Sequence, residues 1–585
     1  MTEQKSLSGK LWKQKETDER KAELISQRYD LPLIISQILS QRKVDIDDVL
    51  NFIEPKLQNL IPNPHTLKDL EKASKRIADA VVSKQKMAII GDYDVDGATS
   101  SSVLKLFLES VGISPLVHIP ERDEGYGPSK FAFDKFISQG VELVVTVDCG
   151  TTAFDIIDYA NEKGIEVIIM DHHEAEVKLP NAFAVINPKR LDEDDKIPYL
   201  KYMAAVGVVF LNIIGINKEL RERGFYQGKQ EPDLKQWLDL VALGTVCDVV
   251  PLKGLNRAFV RQGLKVMAQR QNIGIKALID SSSITEAPTA FHLGYFLGPR
   301  INACGRVGDA FMGNRLLCCK DEFEAKTLAE KLNEYNAKRK EIEDYVLISA
   351  IEILESTSQE YPIAFVYGSD WHQGVIGIVA GKLKERYNLP AFVMSIEDDE
   401  VKGSSRSTNG VDLGALIIKA KEKGLITKGG GHIMAAGFSL EENKIEDFKK
   451  FVGEYVKEKV GTEDVVPVIE IDASVDLLGA TPELADKLEL LEPYGAENPE
   501  PRVMLRNVKV SKSNIVGSGH VSCFLTSANG GSLKAIAFRV ADTELGKYLL
   551  NIKGEVVNIV GVLRKDNWQG RNSVQFIIDD IMLAS

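Results

Sequence analysis

The sequence predicts an α/β protein of several parts: a parallel-sheet domain, a long connecting helix, a smaller α/β domain and a C-terminal β-barrel. Three observations carry this. From residue 87 short apolar runs alternate with amphipathic helical segments; residues 321–358 are rich in Glu, Lys, Ala and Leu and hold neither glycine nor proline; and alternating strand-like runs crowd the end of the chain. At 585 residues the chain exceeds one ordinary core and calls for two to four domains.

In order, residues 1–60 form a helical preface, with patterns such as LPLIISQILSQR and no evident chemistry. Residues 61–320 form the first α/β domain, where MAII precedes DYDVDG, LVVTV precedes Asp148 and EVIIM precedes Asp171. Residues 321–358 are the connecting helix. A second α/β pattern over 359–460 contains KGGGH at 428–432. Residues 461–585 carry RVMLRNVKV, HVSCFLTS, SLKAIAFRV, EVVNIVGVLR and SVQFIIDDIML, five runs with polar turns that predict an OB-fold.

Composition narrows the setting. No apolar stretch is long enough to span a bilayer, and the N-terminus MTEQKSLSGKLWKQKETDERK is charged where a signal peptide needs apolar residues, so a cytoplasmic location is expected. Six cysteines without CxxC spacing indicate neither a zinc knuckle nor a disulfide framework. A net charge of −13 argues against a broadly basic surface but leaves room for local basic grooves.

The chemistry concentrates at strand ends. Asp92, Asp94 and Asp96 follow one apolar run, Asp148 a second, and Asp171-His172-His173 a third; Asp248 closes an apolar helical segment in GTVCDVVPL. Crowded carboxylates resist burial unless a cation neutralises them, and the carboxyl ends of parallel strands face one crevice. DYDVDG also matches the start of a calcium-binding loop, but the position of the bidentate glutamate is Val103 and a strand precedes the motif. Taken singly, Asp148 could be a helix cap and Asp171-His172-His173 a solvated turn. Oxygen ligands with imidazole suit Mn2+ or Mg2+ better than zinc, and there are enough ligands for two ions. Two such ions point to phosphate-ester hydrolysis.

GDYDVDGATS, VVTVDCGTT, IIMDHHE and GTVCDVVPL, in that order, resemble the motifs of the DHH phosphoesterase family. WHQGVIGIVAGKLKERY, KGSSRS and GGGHIMAAGFSL resemble its companion DHHA1 domain; with EGYGPS, GPRINACGR, LEPYGAENPEP and the barrel, the pattern is similar to the family's bacterial single-strand exonuclease branch over nearly the whole chain. The resemblance implies a metal-dependent exonuclease that degrades single-stranded DNA 5′ to 3′ to 5′-mononucleotides in recombination and repair. By position, Asp92, Asp94 and Asp148 would hold one ion and Asp96, Asp148, His172 and Asp248 the other. His173 would contact the scissile phosphate or its water, and Asp171 would orient an imidazole. The family also implies a single-strand-binding protein and a RecQ-type helicase as partners, and a monomer is expected. Two departures stand out: Ala303-Cys304 before the GR of GPRINACGR, and Glu497 where glycine is common.

An exonuclease must grip phosphates and an end. Arg122, Arg306, Arg406 and His432 are the candidates, with Gly430 and Gly431 allowing close backbone approach, and Tyr126 and Trp371 as candidate base-stacking rings. No GxxxxGK[ST] stretch supports an ATP site. In the barrel, Arg502, Arg506, Lys509, Lys534, Arg539, Lys553, Arg564, Lys565 and Arg571 occur among Phe538, Trp568 and Phe576, a mixture suited to a strand-binding groove. Two other readings are a DHH phosphodiesterase of short oligonucleotides or cyclic dinucleotides, disfavoured by the chain's length, and a non-catalytic DNA-binding replication factor, disfavoured by the intact ligand set.

Overall fold

The computed structural model describes residues 5–122, 124–194, 197–357, 360–397, 400–408, 410–460, 466–552, 554–566 and 573–584. The chain forms two compact units. The first comprises Met1–Gly298, Gly313–Lys326 and Val466–Ser585, and the second Pro299–Met312 and Thr327–Val465.

The first unit begins with strand β1 (Leu11–Gln14), then helices Glu19–Tyr29 and Leu33–Gln41. Asp18 caps the former by accepting from the Lys21 N–H, which satisfies one of the helix's unpaired donors. A parallel sheet follows: β2 (Met87–Ile90), β3 (Leu116–His118), β4 (Leu143–Val147), β5 (Glu166–Met170) and β6 (Ala184–Ile186), in the order β3-β2-β4-β5-β6. β2 and β4 bury every residue because helices cover both faces, which is why they read as continuous apolar runs. One face packs Ala88, Ile90 and Val144 against Phe133, Phe136 and Ile157. The chain leaves β2 toward β3 and returns to its other side at β4. That reversal opens a crevice at the carboxyl ends of β2 and β4, where the acidic motifs begin.

In the second unit, β7 (Ala364–Ser369), β8 (Ala391–Glu397), β9 (Glu400–Arg406), β10 (Lys428–His432) and β11 (Ala435–Glu441) form a mixed sheet ordered β10-β11-β9-β8-β7. Phe392 and Phe438 of the sheet pack against Phe448 of helix Ile445–Val460, and helix Leu413–Glu422 joins the same core. The helix foreseen over 321–358 runs Glu322–Ser356.

The chain then rejoins the first unit. β12 (Val468–Ile471) pairs in parallel with β1, and β13 (Ala473–Val475) lies beside β14 (Val503–Val516). With β15 (His520–Ser527), β16 (Ser532–Ala537), β17 (Val556–Asp566) and β18 (Ser573–Leu583), β14 closes a five-stranded barrel through its pairing with β17. The N-terminal helices share its core: Ile25, Ile35, Ile38 and Val49 belong to one apolar cluster with Leu505, Val557 and Phe576. Buried Asp580 on β18 accepts from the Ser8 N–H at 3.3 Å and the Trp12 indole at 3.1 Å. The 1–60 preface is thus packed on the barrel, a partnership that its local pattern gave no means of foreseeing. Among the described residues no helix is long and apolar enough to cross a membrane.

Candidate metal centre

β2 ends at Ile90, and the chain turns through Asp92 into helix Val95–Ser110. Asp94 caps that helix, accepting from the Gly97 N–H at 3.0 Å. Gly97 leaves no space for a side chain, since a Cβ there would lie 2.3 Å from the Asp92 carbonyl oxygen. Asp96 turns inward and accepts from the N–H groups of Ala205 and Val206 at 2.6 and 3.0 Å, at the start of helix Ala205–Glu222. The helix dipole and these donors favour a carboxylate there.

Asp148 follows β4 directly and has φ 61°, a left-handed backbone that a non-glycine residue adopts at a cost of about 1–2 kcal/mol. Its side chain is 2% exposed. Beyond β5, Asp171 accepts from the N–H groups of Thr151, His172 and His173 at 3.0, 2.7 and 3.2 Å, and contacts His173 Nδ1 at 2.8 Å. Its two oxygens thus hold the Thr151 turn and both histidines. His172 Nδ1 lies 3.1 Å from the Met203 carbonyl oxygen, which can only accept, so Nδ1 carries the proton. Nε2 is thereby left as a lone pair, 3.2 Å from Asp148 Oδ1 and 3.9 Å from Asp96 Oδ2. Asp248, capping helix Leu238–Cys247, reaches within 3.5 Å of His172 Nδ1.

Ligand atoms gather in three groups, each within 4.8 Å: Asp92, Asp94 and Asp148; Asp96, His172 and Asp248; and Asp148, His172 and His173. Asp92 Oδ1, Asp148 Oδ1 and Asp248 Oδ2 are buried with no hydrogen-bond donor among the described residues. Buried acceptors are normally paired, so these orphans fit a hard cation.

The electrostatics agree. Burial, and then the neighbouring carboxylates, push Asp92, Asp148 and Asp248 well above the usual carboxylate range, and burial with Asp94 nearby takes Asp96 to about 7. Burial would raise Asp171 too, but the His173 hydrogen bond and the two imidazoles outweigh it and hold that carboxyl low. Burial, then His173, pushes His172 down to about 3, keeping it neutral as a ligand must be. His173 feels the same burial yet is raised on balance by Asp171.

Comparison with known proteins fits this geometry. The DHH family N-terminal domain model matches residues 86–245, the DHHA1 domain model 359–458, and the RecJ OB domain model 471–580. The single-stranded-DNA-specific exonuclease RecJ of Escherichia coli is 34% identical over 566 residues, 94% of this chain and 96% of that protein. The chain belongs to the RecJ family. RecJ of Thermus thermophilus in complex with Mn2+ matches with a TM-score of 0.80 and 26% identity, over 97% of this chain and 78% of that one. The Mg2+ complex of the same protein gives 0.75 and 25%, over 97% and 77%.

In this RecJ-family chain the other candidate residues are placed as follows. Exposed Arg122 stacks over the Tyr93 ring at 4.5 Å, and the Tyr126 hydroxyl lies 3.0 Å from both the Asp148 carbonyl oxygen and His173 Nδ1. In the second unit, Arg306 donates to the Gly374 carbonyl at 2.7 Å, and Arg406 to Ser404 Oγ and the Ser405 carbonyl at 3.2 and 2.9 Å. Gly430, Gly431 and His432 lie on β10, an exposed edge strand. Trp371 is a correction: it is 4% exposed and packed in the core beside Val375 and Val393, so it has no face to offer a base. Phe576 is likewise buried in the barrel. Lys553, Trp568 and Arg571 lie outside the described residues.

Several barrel cations are already paired: Arg502 with Asp579, Lys534 with Asp566, Arg564 with Glu500, and Lys565 with Asp486 and Glu489. Lys509 and Arg539 are exposed, as are the rings of Phe524 and Phe538, and Lys512 lies over the Phe524 ring at 5.9 Å. Sequence reading missed Asn187, whose buried amide donates to Thr151 Oγ1 at 2.9 Å and the His173 carbonyl at 2.8 Å, bracing the histidine turn. It also missed Met203, which acts through its carbonyl alone and so leaves no side-chain signal.

Proposed function

We propose that this chain is a metal-dependent exonuclease that degrades single-stranded DNA from the 5′ end to 5′-mononucleotides, in recombination and repair. The observation that carries the reading is the set of buried, donorless carboxylate oxygens gathered around a neutral imidazole. Asp92, Asp94 and Asp148 would hold one Mn2+ or Mg2+ ion, and Asp96, Asp148, His172 and Asp248 the other, with Asp148 shared. Ions bound there activate water and stabilise the leaving oxygen of a phosphodiester.

The chain's own groups do the rest. Asp171 orients the His173 imidazole, and His172, its Nδ1 held by the Met203 carbonyl, would present Nε2 to the second ion. His173, with 37% of its side chain exposed and its pKa raised, retains a proton to hydrogen-bond the scissile phosphate. Tyr126 holds His173 in place, and Arg122 meets the strand's phosphates. In the second unit, Arg406 has only a hydroxyl and a carbonyl as hydrogen-bond partners among the described residues, which suits it to a phosphate; Arg306 and the backbone of Gly430, Gly431 and His432 would likewise meet phosphates. The protein would act as a monomer in the cytoplasm, on strands supplied by a RecQ-type helicase and covered by single-strand-binding protein.

The test compares a long 5′-phosphorylated strand, its duplex and a dinucleotide with Mn2+, following products of strands labelled at either end. Mononucleotides released first from the 5′ end of the single strand are expected. Strong preference for the dinucleotide, or release from the 3′ end, would overturn the reading.

A further inference from the structure

The turn that carries Asp248 does not support itself. The next residue, Val249, has φ 58° and is 71% exposed. A β-branched residue in the left-handed region is strained, and this one gains no burial in return. Such a conformation persists only where the surroundings impose it.

The residues that follow the turn, Leu252 and Lys253, are held by the 491–498 loop, which leads into the barrel within the same unit. The Leu252 N–H donates to the Ala496 carbonyl at 3.0 Å. The buried Leu252 side chain lies against Gly495, where an added Cβ would be 2.7 Å from Leu252 Cδ1. Lys253 pairs with Glu497. Glu497 has φ 53° and occupies the position at which glycine was expected; here the backbone strain is accepted and the carboxylate reaches the Asp248 turn.

The loop is in turn organised by Arg257, a guanidinium that is 1% exposed and makes no ion pair among the described residues. It donates to main-chain carbonyls: Nη2 to Leu491 at 3.0 Å and also to Glu492, Nη1 to Pro493 at 3.3 Å, and Nε to Phe52 at 2.6 Å. Asn498 adds amide bonds to the Leu491 and Pro493 carbonyls at 2.9 and 2.7 Å. A planar fork of donors is suited to gathering several carbonyls at once, which an ammonium does less well.

We propose that the 491–498 loop, organised by Arg257, is a positioning element of the metal centre that keeps the Asp248 carboxylate aimed at His172 and Asp96. This rests on reading Asp248 as a metal ligand. The loop carries none of the proposed ligands; its effect is on how tightly the ion at Asp248 would be held.

The test measures Mn2+ binding to the full chain by titration calorimetry and by the electron paramagnetic resonance of free Mn2+. The variants are Arg257→Lys, which keeps the charge and loses the fork, and Gly495→Ala, which displaces Leu252; Asp248→Ala marks the ion concerned. Circular dichroism checks the fold. Both loop variants are expected to weaken the ion lost in Asp248→Ala by about tenfold or more, with the other ion unchanged and turnover restored at saturating Mn2+. If Arg257→Lys does not fold, Gly495→Ala alone decides. Wild-type binding of both ions in the loop variants, or equal weakening of both, would overturn the proposal. Wild-type binding in Asp248→Ala would instead remove the ligand reading beneath it.

Discussion

His172 Nε2 lies 3.2 Å from Asp148 Oδ1, so a lone pair on the imidazole faces an oxygen that no donor among the described residues reaches. Two acceptors at this separation repel unless a cation lies between them. Asp148→Asn is therefore expected to lower hydrolysis about a thousandfold or more while strand binding stays within a few fold, because it removes the ligand proposed to be shared but little of the phosphate-binding surface. The same change should raise the thermal midpoint of the metal-free protein at neutral pH, since the cost of burying a carboxyl among other carboxyls is gone. Steady-state rates, filter binding and calorimetry in EDTA check the three parts.

The raised carboxyls fix the sign of a pH effect. Asp96, at about 7, and Asp92, Asp148 and Asp248, all pushed upward, bind protons in the folded state that the unfolded chain has already lost. The stability these four groups contribute without metal is thus fully present below the ordinary carboxylate pKa and is lost as pH rises toward and through 7. Saturating Mn2+ should flatten that fall, and Mn2+ affinity should rise over the same range with proton release. Buried Asp239, also raised to about 7 by burial, would leave a residual slope that Asp239→Asn removes. Thermal midpoints at several pH values, with EDTA and with Mn2+, separate the two contributions.

Tyr126→Phe isolates the hydroxyl that contacts the Asp148 carbonyl and His173. Turnover should fall about tenfold, the loss of roughly 1.4 kcal/mol of orientation in the transition state, with Mn2+ affinity and KM nearly unchanged. A rise in KM with unchanged kcat would show that the ring serves the strand instead.

In the barrel, cations that already have carboxylate partners should count little toward DNA. Lys509→Ala is expected to lower the slope of log affinity against log salt by about 0.7, while Arg564→Ala, paired with Glu500, changes it by much less. Equal slopes for the two variants would deny the distinction.

The parts of this molecule legible in the sequence are those whose signal is local. β2, β4 and β5 announced themselves as buried apolar runs, and each ends at the carboxylate or histidine that closes on the site. The long helix and the barrel strands likewise follow from composition and alternation. Other features depend on partners distant in the chain. Nothing near Trp371 says whether an indole faces solvent or a core, and nothing near Arg564 reveals Glu500. Met203 acts through a backbone atom, which any residue type would supply.

The shared core of the N-terminal helices and the barrel sets an order for biosynthesis. Ile25, Ile35 and Ile38 leave the ribosome long before Leu505, Val557 and Phe576 exist, and β1 waits equally long for β12. During that interval the α/β domain can fold on contacts already made, while the first helices hold their apolar stripe without its final cover. At about 5–20 residues per second the wait is tens of seconds, long enough for a chaperone to matter. A substitution such as Ile38→Asp would then do its damage twice, first in the nascent chain's interactions and again when the barrel arrives and finds a charge where it should close.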